Sequence, residues 1–212
     1  MLDIITIPVT VFGQNCRIVA CTVTKQAVIV DPGGEPERII ERFTKTNYAC
    51  IGVWLTHSHL DHCGAVQPLL EHFGVSLTAH PIEEMMRAHV EQVAAMYGLP
   101  AQEYRNCPEP TKEIRGGETL PLGENVAEVL FVPGHSPGHV AFYFRNQATL
   151  LSGDCLFQGS VGRTDLPGGN HAQLIASIRD SILPLPDNTK VLSGHGPDTT
   201  VGEERASNPF LI

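Results

Sequence analysis

The segment Thr56-His57-Ser58-His59-Leu60-Asp61-His62 packs three imidazoles and a carboxylate into six residues, and Gly64 follows it. Imidazole nitrogen and carboxylate oxygen are the usual donors to zinc and related divalent ions. Four such side chains in one short loop exceed what a single tetrahedral ion takes while keeping a position open, so the spacing suggests two neighbouring ions. Three further places repeat one grammar of apolar run, glycine and donor. They are Val132-Pro133-Gly134-His135, Leu150-Leu151-Ser152-Gly153-Asp154 and Val191-Leu192-Ser193-Gly194-His195. Glycine permits a sharp exit from a strand and a close backbone approach. The candidate ligands are therefore His57, His59, Asp61, His62, His135, Asp154 and His195. A solitary histidine after a strand is more often a surface or hydrogen-bonded residue. The cluster together with three matching loops outweighs that alternative.

The other histidines read differently. His72, His80 and His89 lie in or beside helical stretches and read as structural or solvated, and His171 as local to a helix start. His139 follows Ser136-Pro137-Gly138 close to His135; a supporting contact behind the ligands is conceivable, but a local role is the favoured reading. Cys63 and Cys155 each follow a candidate ligand, yet the ligand set is complete without them, and both read as buried small residues.

The elements that must carry these loops are legible from periodicity. Strands are expected at Leu2–Phe12, Cys16–Val23, Ala27–Val30, Cys50–Leu55 and Val75–Ala79, then at Asn125–Val132, Val140–Phe144, Thr149–Leu151 and Val191–Leu192. Helices are expected at Glu35–Phe43, Gly64–Phe73, Ile82–Tyr97 and Asn170–Leu183, the last capped by Asn170. Ala101–Lys112 reads as polar and irregular, and a brief polar tail closes the sequence. Interleaved strands and helices call for sheets packed against helices.

Composition narrows the partners. The chain has 212 residues, 42% hydrophobic and 17% charged, which is an ordinary globular balance. Fourteen Lys and Arg against 23 Asp and Glu leave a net charge of −9. That opposes nucleic acid as the main partner and opposes an anionic membrane surface. No apolar run reaches a transmembrane length, and Met1-Leu2-Asp3 does not open a signal peptide. The six cysteines are dispersed with no C-x-x-C pair, which suits reduced thiols and a cytoplasmic setting. Nothing in the sequence sets an oligomeric state.

His-Ser-His-Leu-Asp-His with His135, Asp154 and His195 resembles the metallo-β-lactamase superfamily, and more closely the glyoxalase II-like hydrolases of the short single-domain bacterial type. The resemblance runs nearly end to end. It takes in Asp31-Pro32-Gly33-Gly34, Pro133-Gly134-His135-Ser136-Pro137-Gly138-His139, Ser152-Gly153-Asp154, Gly162-Arg163-Thr164-Asp165 and Ser193-Gly194-His195-Gly196-Pro197. It implies an α/β (α+β) fold, an αβ/βα sandwich of two mixed sheets flanked by helices, as one domain over residues 1–212. It also implies ligand roles: His57, His59 and His135 on one divalent ion, Asp61, His62 and His195 on a second, and Asp154 bridging both. Zinc is the foremost metal, with iron or manganese also accommodated. Asp61 and Asp154 count as the catalytic carboxylates, and Asp31 as a support for the ligand loops. A water shared by the ions, with its pKa lowered toward neutrality, would be the nucleophile.

The implied activity is thioester hydrolysis of S-lactoylglutathione to lactate and glutathione. The longer glyoxalase II enzymes carry an extra C-terminal helical segment that helps bind glutathione, whereas this sequence ends soon after His195, so recognition of the small-molecule thioester is expected to differ. Arg163 is the candidate contact for a substrate carboxylate, a surface salt bridge being the alternative. The second functional reading is persulfide dioxygenase, in which His57, His135 and Asp154 would hold one iron and glutathione persulfide would be oxidised by O2. β-Lactamases of the superfamily generally place cysteine where Asp154 stands, and a metal-binding protein with a decayed site would not keep the full ligand set.

Overall fold

A computed structural model of the chain describes residues 1–100 and 102–212, in two compact units. The first comprises Met1–Ile114 with Pro121–Asn125. Its six-stranded sheet runs in the order β1 (Leu2–Val9), β2 (Gln14–Cys21), β3 (Gln26–Val30), β4 (Ala49–Trp54), β5 (Leu77–Ala79), β6 (Lys112–Glu113). The first three strands pair antiparallel and the last four parallel, so the sheet is mixed. Parallel neighbours require crossovers. α1 (Pro36–Thr44) links β3 to β4, while α2 (Leu60–Cys63) and α3 (Val66–Phe73) link β4 to β5. Ile39 and Phe43 of α1 and Leu69 of α3 enter one buried cluster with Ile18, Ile29 and Val53 of the sheet. Gly74 closes α3 in the left-handed conformation, as the sequence suggests.

The helix expected over Ile82–Tyr97 is broken. A 3-10 turn at Pro81–Glu83 leads into α4 (Glu84–Arg87), and α5 (Val90–Met96) follows as a separate piece. Arg87 accounts for the interruption. Its buried guanidinium donates back to the carbonyls of His80 (2.8 Å) and Pro81 (3.3 Å) and to Glu109 Oε2 (3.0 Å). Its own carbonyl accepts the Cys107 amide at 2.9 Å instead of propagating a helix. Residues 102–111 carry no regular element, as expected, whereas Lys112 opens β6; Ala101 lies outside the described residues.

The second unit comprises Arg115–Leu120 with Val126–Ile212. The strands wholly or partly in it are β7 (Thr119–Leu122), β8 (Asn125–Phe131), β9 (Val140–Phe144), β10 (Thr149–Gly153), β11 (Leu156–Phe157), β12 (Ser160–Val161), β13 (Lys190–Ser193) and β14 (Thr199–Thr200). The six-stranded sheet has the order β14-β13-β10-β9-β8-β7, and β11 and β12 form a small hairpin. β10 and β13 are parallel, while β8–β9, β9–β10 and β13–β14 are antiparallel, so this sheet is mixed as well. α6 (His171–Ser177) is capped by Asn170, whose side chain accepts the Gln173 amide at 3.0 Å. The chain then continues as a π-helical turn over Ile178–Ile182 rather than as regular helix to Leu183.

The expected polar tail is a helix. α7 (Val201–Ser207) starts at Thr200, which accepts the Glu203 amide at 3.2 Å. Thr200-x-x-Glu203 is a capping-box spacing that announces this start. Glu204 turns inward and is buried. Its carboxylate accepts the Thr199 hydroxyl (2.7 Å), the Gly159 amide (2.9 Å) and the Asn208 side-chain amide (2.7 Å). Asn208 in turn donates to Ser160 O at 3.0 Å, so α7 fastens the β11–β12 hairpin. Removing this one acceptor takes a partner from three donors at once, two of them on the buried residues Thr199 and Asn208. Glu204→Ala is expected to destabilise the chain by about 1–3 kcal/mol, with a smaller loss for Glu204→Gln. Urea unfolding checks this, and an unchanged midpoint for Glu204→Ala would show that the network contributes nothing.

Candidate metal centre

In the first unit the parallel pairing of β3 and β4 sets Val30 opposite Trp54, so both strands end at the same edge of the sheet. Asp31 follows one strand and Leu55-Thr56-His57 the other. Asp31 is held in the left-handed region at φ 52°, which is unfavourable for a residue with a Cβ. Its side chain shows what keeps it there. Oδ1 accepts the Thr56 amide at 2.7 Å, and Oδ2 accepts the Thr56 hydroxyl at 2.6 Å and His62 Nδ1–H at 3.1 Å. Thr56 Oγ1 has given its proton to Asp31, so at 3.1 Å it accepts from His57 Nδ1. Both His57 and His62 are thereby fixed with the proton on Nδ1 and the lone pair on Nε2, the tautomer a metal ligand requires. Gln14, also buried, places Nε2 3.5 Å from His62 Nδ1 and abuts the same ring.

His59 stands at the N-cap of α2, and Asp61 and His62 lie in its single turn. The His57 ring is 4.7 Å from that of His59 and 4.1 Å from that of His62, centroid to centroid. Asp61 Oδ2 is 4.0 Å from His62 Nε2. The donor atoms of Asp31, His57 and His62 all lie within 4.8 Å of one another. The Asp31-Pro32-Gly33-Gly34 turn closes directly onto α2. A Cβ at Gly33 would collide with the Asp61 carbonyl, so only glycine fits there.

The second unit supplies His135 after β8, Asp154 after β10 and His195 after β13. His135 Nδ1 donates to the Arg163 carbonyl at 2.7 Å, which again leaves the lone pair on Nε2. That Nε2 is 3.7 Å from Asp154 Oδ2, and His195 Nε2 is 3.5 Å from the same oxygen. One carboxylate oxygen is thus flanked by two imidazole nitrogens. The Gly194 amide donates to Gly153 O at 2.8 Å and ties the turn bearing His195 to the turn bearing Asp154. At Gly162 a Cβ would collide with the Asp154 carbonyl and sit 3.0 Å from His135 Nδ1, so a side chain there would push into both candidate ligands.

In each unit the candidate donors stand together: His57, His59, Asp61 and His62 in the first, His135, Asp154 and His195 in the second. Neutral imidazoles oriented by their distal nitrogens, beside carboxylates, make a donor chemistry that fits borderline divalent cations. Cys63 and Cys155 do not join it. The Cys63 thiol donates to Ser58 O at 3.4 Å, and its side-chain hydrogen bonding with Cys107, together with burial, pushes its pKa well above the ordinary thiol value. Cys155 donates to Ser152 O at 2.9 Å and is also raised, chiefly by burial. Neither offers thiolate at neutral pH.

The guanidinium of Arg163 forms a two-pronged pair with Asp165, at 2.7 Å through both Nε and Nη2, and lies at the surface. That hydrogen-bonded pairing holds the Asp165 carboxyl down at about 2. His80, His89 and His171 make local contacts: His80 accepts from Ile82 N, His89 meets Met85 O, and His171 faces the Phe210 ring. Sequence reasoning favoured the local role for His139 as well, but its buried ring accepts the backbone amide of Asp154 at 3.0 Å. The signal was its place four residues after His135. Gln14 carried no signal, because the His62 ring it abuts lies 48 positions along the chain.

The profile of the metallo-beta-lactamase superfamily matches residues 9–195. The chain is 41% identical over 211 residues to hydroxyacylglutathione hydrolase GloC of Haemophilus influenzae, covering 99% of this chain and 98% of that protein. Among solved structures it is similar to BLEG-1 B3 metallo-beta-lactamase, with TM-score 0.90 and 37% identity over 99% of this chain and 100% of that one. It is also similar to TTHA1623 in a di-iron-bound form, with TM-score 0.89 and 39% identity over 98% and 100%. The two mixed sheets, the helices that flank them and the histidine–aspartate donors agree with these likenesses, and the chain belongs to the metallo-β-lactamase superfamily of hydrolases.

Proposed function

We propose that this chain is a binuclear thioesterase that cleaves a hydroxyacyl thioester of glutathione, S-lactoylglutathione foremost, to the hydroxy acid and the thiol. The observation that carries the proposal is the 41% identity, spread over nearly the whole chain, to a protein named hydroxyacylglutathione hydrolase, in a chain whose candidate donors are oriented for metal binding. In this proposal residues 1–212 act as one catalytic domain. His57, His59 and His135 hold one ion, Asp61, His62 and His195 hold the other, and Asp154 serves both. The bound ions would lower the pKa of a shared water and polarise the thioester carbonyl. The protein's own part is to fix ring tautomers through Thr56, Asp31 and the Arg163 carbonyl. Mixed nitrogen and oxygen donors take zinc, iron or manganese, and the di-iron form of TTHA1623 makes iron a serious candidate beside zinc.

Arg163 is proposed as the contact for the substrate's carboxylate, in exchange with Asp165, the partner it already holds. A cytoplasmic setting fits the six free cysteines, and among the described residues no helix is long and apolar enough to cross a membrane.

Metal content of protein purified without added metal, measured with anaerobic hydrolysis of S-lactoylglutathione, tests the proposal. About two ions per chain and oxygen-independent turnover are expected. One iron per chain with oxygen uptake on glutathione persulfide would replace it with the dioxygenase reading. Preferential opening of a β-lactam would replace it with the activity named for BLEG-1. Asp31→Ala removes the acceptor that orients His62, and about a 10–100-fold loss of metal affinity is expected, read by chelator competition. Arg163→Ala is expected to raise KM about tenfold for an anionic thioester while kcat stays within about twofold. Unchanged kinetics would remove Arg163 from substrate binding.

A further inference from the structure

The antiparallel ladder between β9 and β10 pairs Thr149 with Phe144, Leu150 with Tyr143 and Leu151 with Phe142, and there it stops. Continued for three more rungs, the register would set Asp154 opposite His139. The strands do not continue. On its other side β10 loses register with β13 between Leu151 and Gly153, and Gly153 takes φ 53°. The Asp154 amide has therefore left the sheet, in a place where a buried N–H needs an acceptor. His139 Nε2 is that acceptor, at 3.0 Å. A side-chain bond holds an amide that the irregularity in β10 has turned out of the ladder.

We propose that His139 is the positioning residue of the Asp154 turn. Its imidazole holds the backbone of Asp154 beyond the end of the ladder, and so sets where the Asp154 carboxylate stands between His135 and His195. This rests on the metal-centre reading of Asp154. Three observations carry it. The His139 ring is wholly buried, with its centroid 5.9 Å from that of His135. The backbone of His139 stays in place, because its carbonyl accepts the Val132 amide at 2.9 Å, so the ring reaches out from a fixed point. A backbone amide can only donate, so Nε2 accepts and the ring is neutral. A neutral acceptor secures the turn without adding charge beside the carboxylate.

The test compares His139→Gln, which keeps an acceptor near the position of Nε2, with His139→Leu, which fills the space without one. Three quantities are read: metal affinity by chelator competition, thermal midpoint of the metal-free protein, and exchange coupling in the EPR spectrum of the Mn(II)-loaded protein. His139→Leu is expected to lose about 10–100-fold in metal affinity and to weaken the coupling, and His139→Gln to stay within about threefold of wild type. The metal-free midpoints of the two variants are expected to agree within a few degrees, which separates positioning from packing. Wild-type affinity in His139→Leu overturns the proposal, and so does an equal loss in both variants. If His139→Leu fails to fold, His139→Asn, polar but too short to reach the amide, takes its place against His139→Gln under the same criteria. Wild-type stoichiometry is scored separately. One ion per chain would defeat the binuclear reading, while the ratio between the Leu and Gln variants would still decide the role of His139.

Discussion

An imidazole can lend one nitrogen to a cation only if its proton is held on the other, and a ring that can flip or change tautomer is a poor ligand. That requirement shapes much of this chain. His62 gives its Nδ1 proton to Asp31, His57 to the Thr56 hydroxyl and His135 to the Arg163 carbonyl. The acceptors are a carboxylate, a hydroxyl and a main-chain oxygen, so no single residue type marks them in the sequence. Each has a structural demand of its own. Asp31 serves three donors only by adopting a left-handed backbone, and the Asp31-Pro32-Gly33-Gly34 turn then lies so close to α2 that Gly33 has no room for a side chain. The Arg163 carbonyl meets His135 only where Gly162 lets the chain run against Asp154.

Sheet topology explains why the acceptors are available at all. In each sheet a parallel pair of strands ends side by side, β3 with β4 and β10 with β13. A parallel pair brings two carboxyl ends, and hence two outgoing loops, to the same edge, which an antiparallel pair cannot do. In the first sheet those loops begin with Asp31 and with Thr56-His57. In the second they begin with Asp154 and, after Ser193 and Gly194, with His195, and the Gly194 amide joins them through Gly153 O. The same device recurs in both units on different residues. Gln14, at the start of β2, abuts the His62 ring, and His139, just before β9, accepts the Asp154 amide.

The donors were legible because metal chemistry restricts residue types and strand-end loops restrict spacing; His57, His59, Asp61 and His62 stand out against any background. The strands that carry them were legible for the same reason, as short apolar runs that each end at a glycine or a donor. What escaped was whatever depended on a partner remote in sequence. The stretch Ile82–Tyr97 has helical periodicity throughout, but Arg87 spends its guanidinium on His80 and Pro81 and its carbonyl on Cys107, and the helix breaks there. Long-range bonding overrode local propensity. α7 escaped for the opposite reason. Its Thr200-x-x-Glu203 signal was present, but the helix is short and polar, and Glu204 looks solvated until Gly159 and Asn208 are seen to need it.

That last network gives the segment beyond His195 a purpose. Glu204 and Asn208 grip the turn of the β11–β12 hairpin at Gly159 and Ser160. The start of the hairpin is fixed independently, since the Ser152 and Ser193 hydroxyls both donate to Leu156 O, at 3.1 and 2.9 Å. From its far strand the chain runs straight into Gly162 and Arg163, and the Arg163 carbonyl sets the tautomer of His135. Phe157, on the first strand of the hairpin, places its ring edge-on to His195 at 6.3 Å. Two of the candidate ligands of this unit therefore depend on a hairpin of four paired residues, too small to hold its own shape. A buried carboxylate on a C-terminal helix makes that hairpin rigid. The position of the His135 ring is consequently coupled, through the hairpin, to a residue more than sixty positions along the chain, and the helix of Val201–Ser207 belongs to the architecture of the candidate metal centre as much as to the core.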